Sequence, residues 1–229
     1  MTLARLPGTA PLPGSYITGG ERLASPAYRG VARWVGLAFG AELLVAAAVL
    51  GANGTTEAGI VLALRLTARV AFALFWLAYA GGALATLFGR RFEPLRRQAR
   101  VLGLAFAAAM TVHLGLVASL CLIGATPAAS VFVIFGTAAA FMYLLALFSI
   151  ARLRHALGPR GWKILSFVAM NYVGLAFLDD FRNDFFADGA KHALLYWPFL
   201  ALTVAAPALR FAAFLRVRWT KRAERTLAS

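Results

Sequence analysis

Apolar runs of about 20 residues recur along the whole chain, and no other feature constrains its fold as tightly. A helix of that length crosses roughly 30 Å of hydrocarbon. The runs cover 34–52, 60–88, 99–123, 128–151, 162–180 and 191–215. Polar punctuation separates them: Gly51, Asn53 and Gly54 after the first, and Gly124, Thr126 and Pro127 after the third. The spacing predicts an all-α integral membrane protein, a six-helix bundle. Only 14% of the residues are charged, against about 25% in an ordinary soluble domain. Such a chain has too little polar surface to stay dispersed in water.

The net charge of +14 would suit nucleic acid if it lay on one folded face. It lies instead at the ends of the apolar runs, where lysine and arginine set membrane orientation. Arg5, Arg22, Arg29 and Arg33 precede the first run, Arg90 to Arg100 follow the second, Arg152 to Lys163 follow the fourth, and Arg210 to Arg225 end the chain. Together these hold 19 of the 23 basic residues. The alternate side keeps Arg65, Arg69, Arg182 and Lys191. The positive-inside rule then predicts both termini in the cytoplasm of a bacterial-type inner membrane. Nucleic acid is not an expected partner; membrane lipid is. Residues 1–30, rich in proline and glycine, read as a flexible cytoplasmic tail rather than a leader. The transmembrane domain is expected over 31–216, with a basic cytoplasmic tail over 217–229. The lone cysteine, Cys121, permits no internal disulfide.

Ionisable groups within lipid are costly, so each is a candidate site. His113 falls midway along the third run, where a neutral imidazole suits haem iron or a hydrogen bond to a neighbouring helix. Glu42, mid-way along the first, reads as a proton relay, a partner for arginine, or a packing carboxyl deprived of water. Arg65 and Arg69 share a face of the second helix at i, i+4 spacing, near the outer interface. Asp179, Asp180, Arg182, Asp184 and Asp188 are expected at a similar depth. The two groups form either a cationic pocket for propionate, lipid phosphate or quinone, or an Arg–Asp network closing the outer end. His155 reads as a loop residue and His192 as an interfacial one. Trp34, Trp162, Trp197 and Trp219 fall where belt residues sit. There is no glycine fingerprint for a nucleotide, no flavin domain and no nucleophile set beside a base. Any enzymatic role would be that of an electron-transfer subunit.

Four stretches in order carry a resemblance: LGAN (50–53), LRLTARVAFALFWLA (64–78), RRFEPLRRQARVLGLAFAAAMTVHLGL (90–116) and LALFSIARLRHALGPRGWKIL (145–165). This order is similar to the ferric reductase-like transmembrane family, and within it to the haem-bearing membrane partners of periplasmic methionine sulfoxide reductases. The resemblance implies a six-helix core with b haems held between histidines of two helices. It places His113 on the family's third-helix histidine and makes it a haem ligand, with Arg65 and Arg69 as contacts for propionates. The family's fifth-helix histidines correspond here to Ser166 and Asp179, neither a usual ligand of b haem. Three functions are therefore open. One is a haem-poor membrane subunit, anchor or assembly factor of a redox or photosynthetic complex, with a protein partner. Another is a single b-haem electron carrier on His113. The third, a small-molecule or lipid transporter using Glu42 and the outer charges, lacks the inverted repeat common in such proteins.

Overall fold

The structure, a computed structural model, describes residues 26–150, 153–187 and 189–227. The expected N-terminal tail up to residue 25, Arg152 and Asp188 lie outside the described residues, as do the side chains of His155, Asp184, Lys191 and His192. Among the described residues all regular structure is helical. The helices are α1 (Pro26–Asn53), α2 (Glu57–Phe88), α3 (Glu93–Leu122), α4 (Ala129–Ile150), α5 (Arg154–Ala187) and α6 (Gly189–Leu227). Five helical stretches are long and apolar enough to cross a membrane: Gly30–Asn53, Glu57–Leu122, Ala129–Ser149, Leu157–Asn183 and Leu194–Thr226.

The 66-residue stretch Glu57–Leu122 folds back on itself. Gly89, at φ 79°, takes the left-handed backbone that ends α2, and a single 3-10 turn (Gly89–Phe92) leads to Pro94 in the first turn of α3. Contacts then run in opposite directions on the two helices: Phe88 on Phe92, Gly81 against Leu95, Phe75 on Phe106, and Thr67 bonded to His113. A β-carbon on Gly81 would sit 3.1 Å from Leu95 Cβ, so the hairpin closes on a missing side chain. Buried Ala63, Ala71, Ala80, Ala105 and Ala109 extend the same small-residue seam, the packing expected where lipid supplies no hydrophobic drive between helices.

The start of α2 differs from the expected interfacial segment. Thr56 caps it, its hydroxyl accepting from Gly59 N–H at 3.3 Å, and the helix begins at Glu57. Arg65 and Arg69 therefore lie about 12 and 18 Å along α2, deeper than its first turns. In α5, Gly158 adopts φ 63° and ψ 173°, which only glycine takes without strain. Pro159 follows and starts the membrane-spanning part with its φ already set. α6 continues through Pro198 and Pro207 as one 39-residue helix. Trp76 Nε1–H donates to the carbonyl of Leu202 at 2.8 Å, between the two residues that contribute no backbone donor.

The centre is aromatic. Phe72, Phe75, Phe106, Phe177, Phe181 and Phe199, from α2, α3, α5 and α6, meet with ring centroids 4.9 to 6.5 Å apart. Edge-on pairs such as Phe72–Phe181, at 86°, set the positive ring edge on the negative face. Around this core the outer faces are apolar too: Leu44, Val133, Leu147, Phe167, Leu175 and Phe211 are exposed. A surface of that kind is stable against lipid and not against water. Trp34, Trp197 and Trp219 are exposed among them.

Candidate functional site

A polar layer crosses the bundle where α1, α2 and α3 meet. Ala46, Ile60, Ala63 and Val112 pack as one apolar cluster. One turn from Ala46 along α1 is Glu42, and one turn from Ala63 along α2 is Thr67. Both are fully buried, and both steps, of about 6 Å, run toward the α2–α3 turn. The imidazole of His113, next to Val112, meets Thr67 at 2.9 Å through Nδ1. Thr67 Oγ1 also lies 2.9 Å from the carbonyl of Ala63 and 3.1 Å from that of Leu64. Thr67 Oγ1 thus engages His113 Nδ1 while also lying on the carbonyls of its own preceding turn, and Nε2 is left outside this bond. Glu42 is the contrasting member: neither carboxyl oxygen has a hydrogen-bond partner.

A second layer lies nearer the α2–α3 turn. Tyr79 donates its hydroxyl proton to Asn171 Oδ1 at 2.6 Å, and Asn171 Nδ2 donates back to Phe167 O at 2.6 Å. Arg210 stacks over the Tyr79 ring, 4.4 Å from its centroid, and donates to the Tyr79 carbonyl at 3.3 Å. Sequence reasoning passed over Thr67 and Tyr79, and read Arg210 only as one of the basic residues that end the chain. Each is a polar residue inside an apolar run, which is the signal that singled out His113 and Glu42.

Of the two α2 arginines, Arg69 lies against aromatic rings of α6. Arg69 stacks its guanidinium carbon 4.6 Å from the Tyr196 ring centroid and 5.5 Å from that of Phe199. Its Nε is buried without a hydrogen-bond partner. Two aromatic faces thus hold the cation from α6. Asp179 is engaged along its own helix, by Arg182 at 3.0 Å and Asn183 at 3.3 Å. Ser166 Oγ is buried with no partner.

These residues do not fit a haem held by two histidines. His113, oriented through Nδ1 with Nε2 open, has the form of one axial ligand. On α5, Ser166 offers a hydroxyl and Asp179 a carboxylate already bonded, and six phenylalanines pack between α2, α3, α5 and α6. No group of three or more metal-ligating side chains occurs among the described residues.

No family model matches this chain, and neither a curated protein nor a solved structure matches it. The family resemblance rests on the four sequence stretches alone.

Proposed function

We propose that this chain is a six-span protein of the bacterial inner membrane, ferric reductase-like in plan, with both termini cytoplasmic. It serves a redox or photosynthetic complex as a non-catalytic membrane subunit, anchor or assembly factor, and binds a protein partner there. The aromatic centre packed between α2, α3, α5 and α6, in a chain with Ser166 and Asp179 at the family's fifth-helix positions, is the observation that carries this reading. A haem ladder needs two donors and a slot between helices, and these residues supply one donor and a packed core.

The span count and orientation have their own support. Helix directions alternate: α2 antiparallel to α3 and to α5, α3 to α4 (Thr111 on Tyr143, Arg100 on Ser149), and α4 to α5 (Phe141 on Tyr172). The described end of α6 carries Arg216, Arg218, Lys221, Arg222 and Arg225. Arg216 donates to the Leu87 carbonyl, beside the arginine-rich α2–α3 turn.

A second reading keeps one b haem on His113, favoured by the Nδ1 bond to Thr67 that leaves Nε2 available. A reduced-minus-oxidised spectrum with a pyridine haemochrome count on detergent-purified protein decides between them. A colourless protein supports the non-catalytic subunit. About one redox-active b haem per chain, lost in His113→Ala, overturns it in favour of an electron carrier.

A further inference from the structure

A groove of about 490 Å³ runs along α3, flanked by α1 and α4. Its walls are apolar, with Val31, Val35, Leu104, Ala108 and Ala146 among them, and its polar groups sit at the two ends. Arg100 lies at one end and the Thr111–Tyr143 hydroxyl pair at the other, about 16 Å apart along α3.

The two ends offer different chemistry. Arg100 donates through Nε to Ser149 Oγ at 3.1 Å, and through one Nη to the Ser149 carbonyl. These bonds satisfy the end of α4 and fix the guanidinium at the mouth. Its other Nη, with two N–H donors, has no partner among the described residues. The nearest acidic residue on α3, Glu93, is held by Arg96 at 2.8 Å and Arg97 at 3.4 Å. At the deep end the Thr111 hydroxyl lies 3.0 Å from the carbonyl of Ala107 and 3.0 Å from the Tyr143 hydroxyl, so the two hydroxyls engage each other. A hydrocarbon tail needs no donor there.

We infer that this groove is a binding site for one anionic phospholipid, its phosphate on Arg100 and one acyl chain laid along α3 toward Thr111 and Tyr143. The charge complementarity is local: a fixed cation with spare donors stands at the mouth of an apolar channel, and no acidic side chain lines the groove among the described residues. The inference rests on the membrane-spanning reading and not on the state of any haem, so a lipid result leaves the spectral test standing.

The full chain, reconstituted in nanodiscs of equal parts phosphatidylglycerol and phosphatidylcholine, tests it by native mass spectrometry of the lipid retained. One phosphatidylglycerol per chain is expected, held roughly fivefold over phosphatidylcholine. Arg100→Gln and Ala108→Phe abolish the preference, Arg100→Lys keeps it, and Arg91→Gln and Tyr143→Phe leave it unchanged. No preference in the unaltered protein overturns the proposal. An equal loss in Arg91→Gln also does so, by making the effect one of diffuse surface charge. A loss in Tyr143→Phe together with a retained quinone overturns it in favour of a polar headgroup at the deep end.

Discussion

Glu42→Leu should make this protein more stable. The side chain is wholly buried, and neither carboxyl oxygen meets a donor. An amide or hydroxyl buried without a partner costs about 1–3 kcal/mol in protein mutational data, and a carboxyl costs at least as much. Leucine fills a similar volume, so the core loses little packing, and up to about 1 kcal/mol of shape mismatch is the expected offset. The net gain is about 1–2 kcal/mol. For a chain of this size that raises the melting temperature by roughly 3–6 °C. The assay is thermal unfolding of the purified protein in one detergent, followed by far-UV circular dichroism. Glu42→Gln is the control: it keeps the shape, leaves the amide equally unpaired, and should melt at or below the unaltered protein. A Glu42→Leu variant that melts several degrees lower would refute the reasoning. The carboxyl would then be holding a water or an ion, and the layer it shares with Thr67 and His113 would be a working site rather than a packing compromise.

Thr67→Val should cost about 1–3 kcal/mol in the same assay by stranding His113 Nδ1. Combined with His113→Leu the loss should fall well short of the sum of the two, as it does when one bond is removed twice. Gly81→Leu should break the α2–α3 hairpin, because Leu95 stands where the new side chain must go; size-exclusion chromatography would show aggregated rather than monodisperse protein. Orientation is checked with single-cysteine reporters in a Cys121→Ala background. Thr126→Cys should react with an impermeant maleimide in intact spheroplasts, and Arg91→Cys only after the membrane is opened. The reverse pattern would invert the topology.

The all-helical, multi-span character was legible in the sequence because lipid imposes one length on every crossing. Interior pairing was not legible. The apolar runs are alanine- and phenylalanine-rich on every side, so periodicity does not say that Phe72 faces Phe181 or that Gly81 faces Leu95. His113 and Glu42 stood out as isolated polar residues, yet their unlike fates depended on what lay opposite. Thr67 reaches His113 across the hairpin, while no hydrogen-bond partner reaches Glu42 among the described residues. Arg69 was grouped with the aspartates by depth alone. In the fold two rings of α6 lie against it, a pairing of cation with aromatic face that no charge count reveals.

Inter-helix hydrogen bonds show which helix organises the rest. Thr67 to His113, Trp76 to Leu202, Tyr79 to Asn171 and Arg210 to Tyr79 all use α2 as one partner. Polar pairs in a membrane are worth little singly, about 0.6 kcal/mol on average and rarely above about 1.7, but they fix which faces meet. Tyr79 separates the two contributions. Tyr79→Phe removes only the 2.6 Å bond to Asn171. It keeps the stack on Phe75, 5.4 Å between centroids, and the guanidinium of Arg210 over the ring. Its cost should therefore be about 1 kcal/mol, a shift of roughly 2–4 °C. Tyr79→Leu loses the stack and the cation–π contact as well, adding about 1–2 kcal/mol. If instead the two variants melt together, the ring contributes nothing beyond its hydroxyl. The aromatic centre would then be filler around a bundle held by its polar pairs, and the close packing that argues against a haem slot would lose its force.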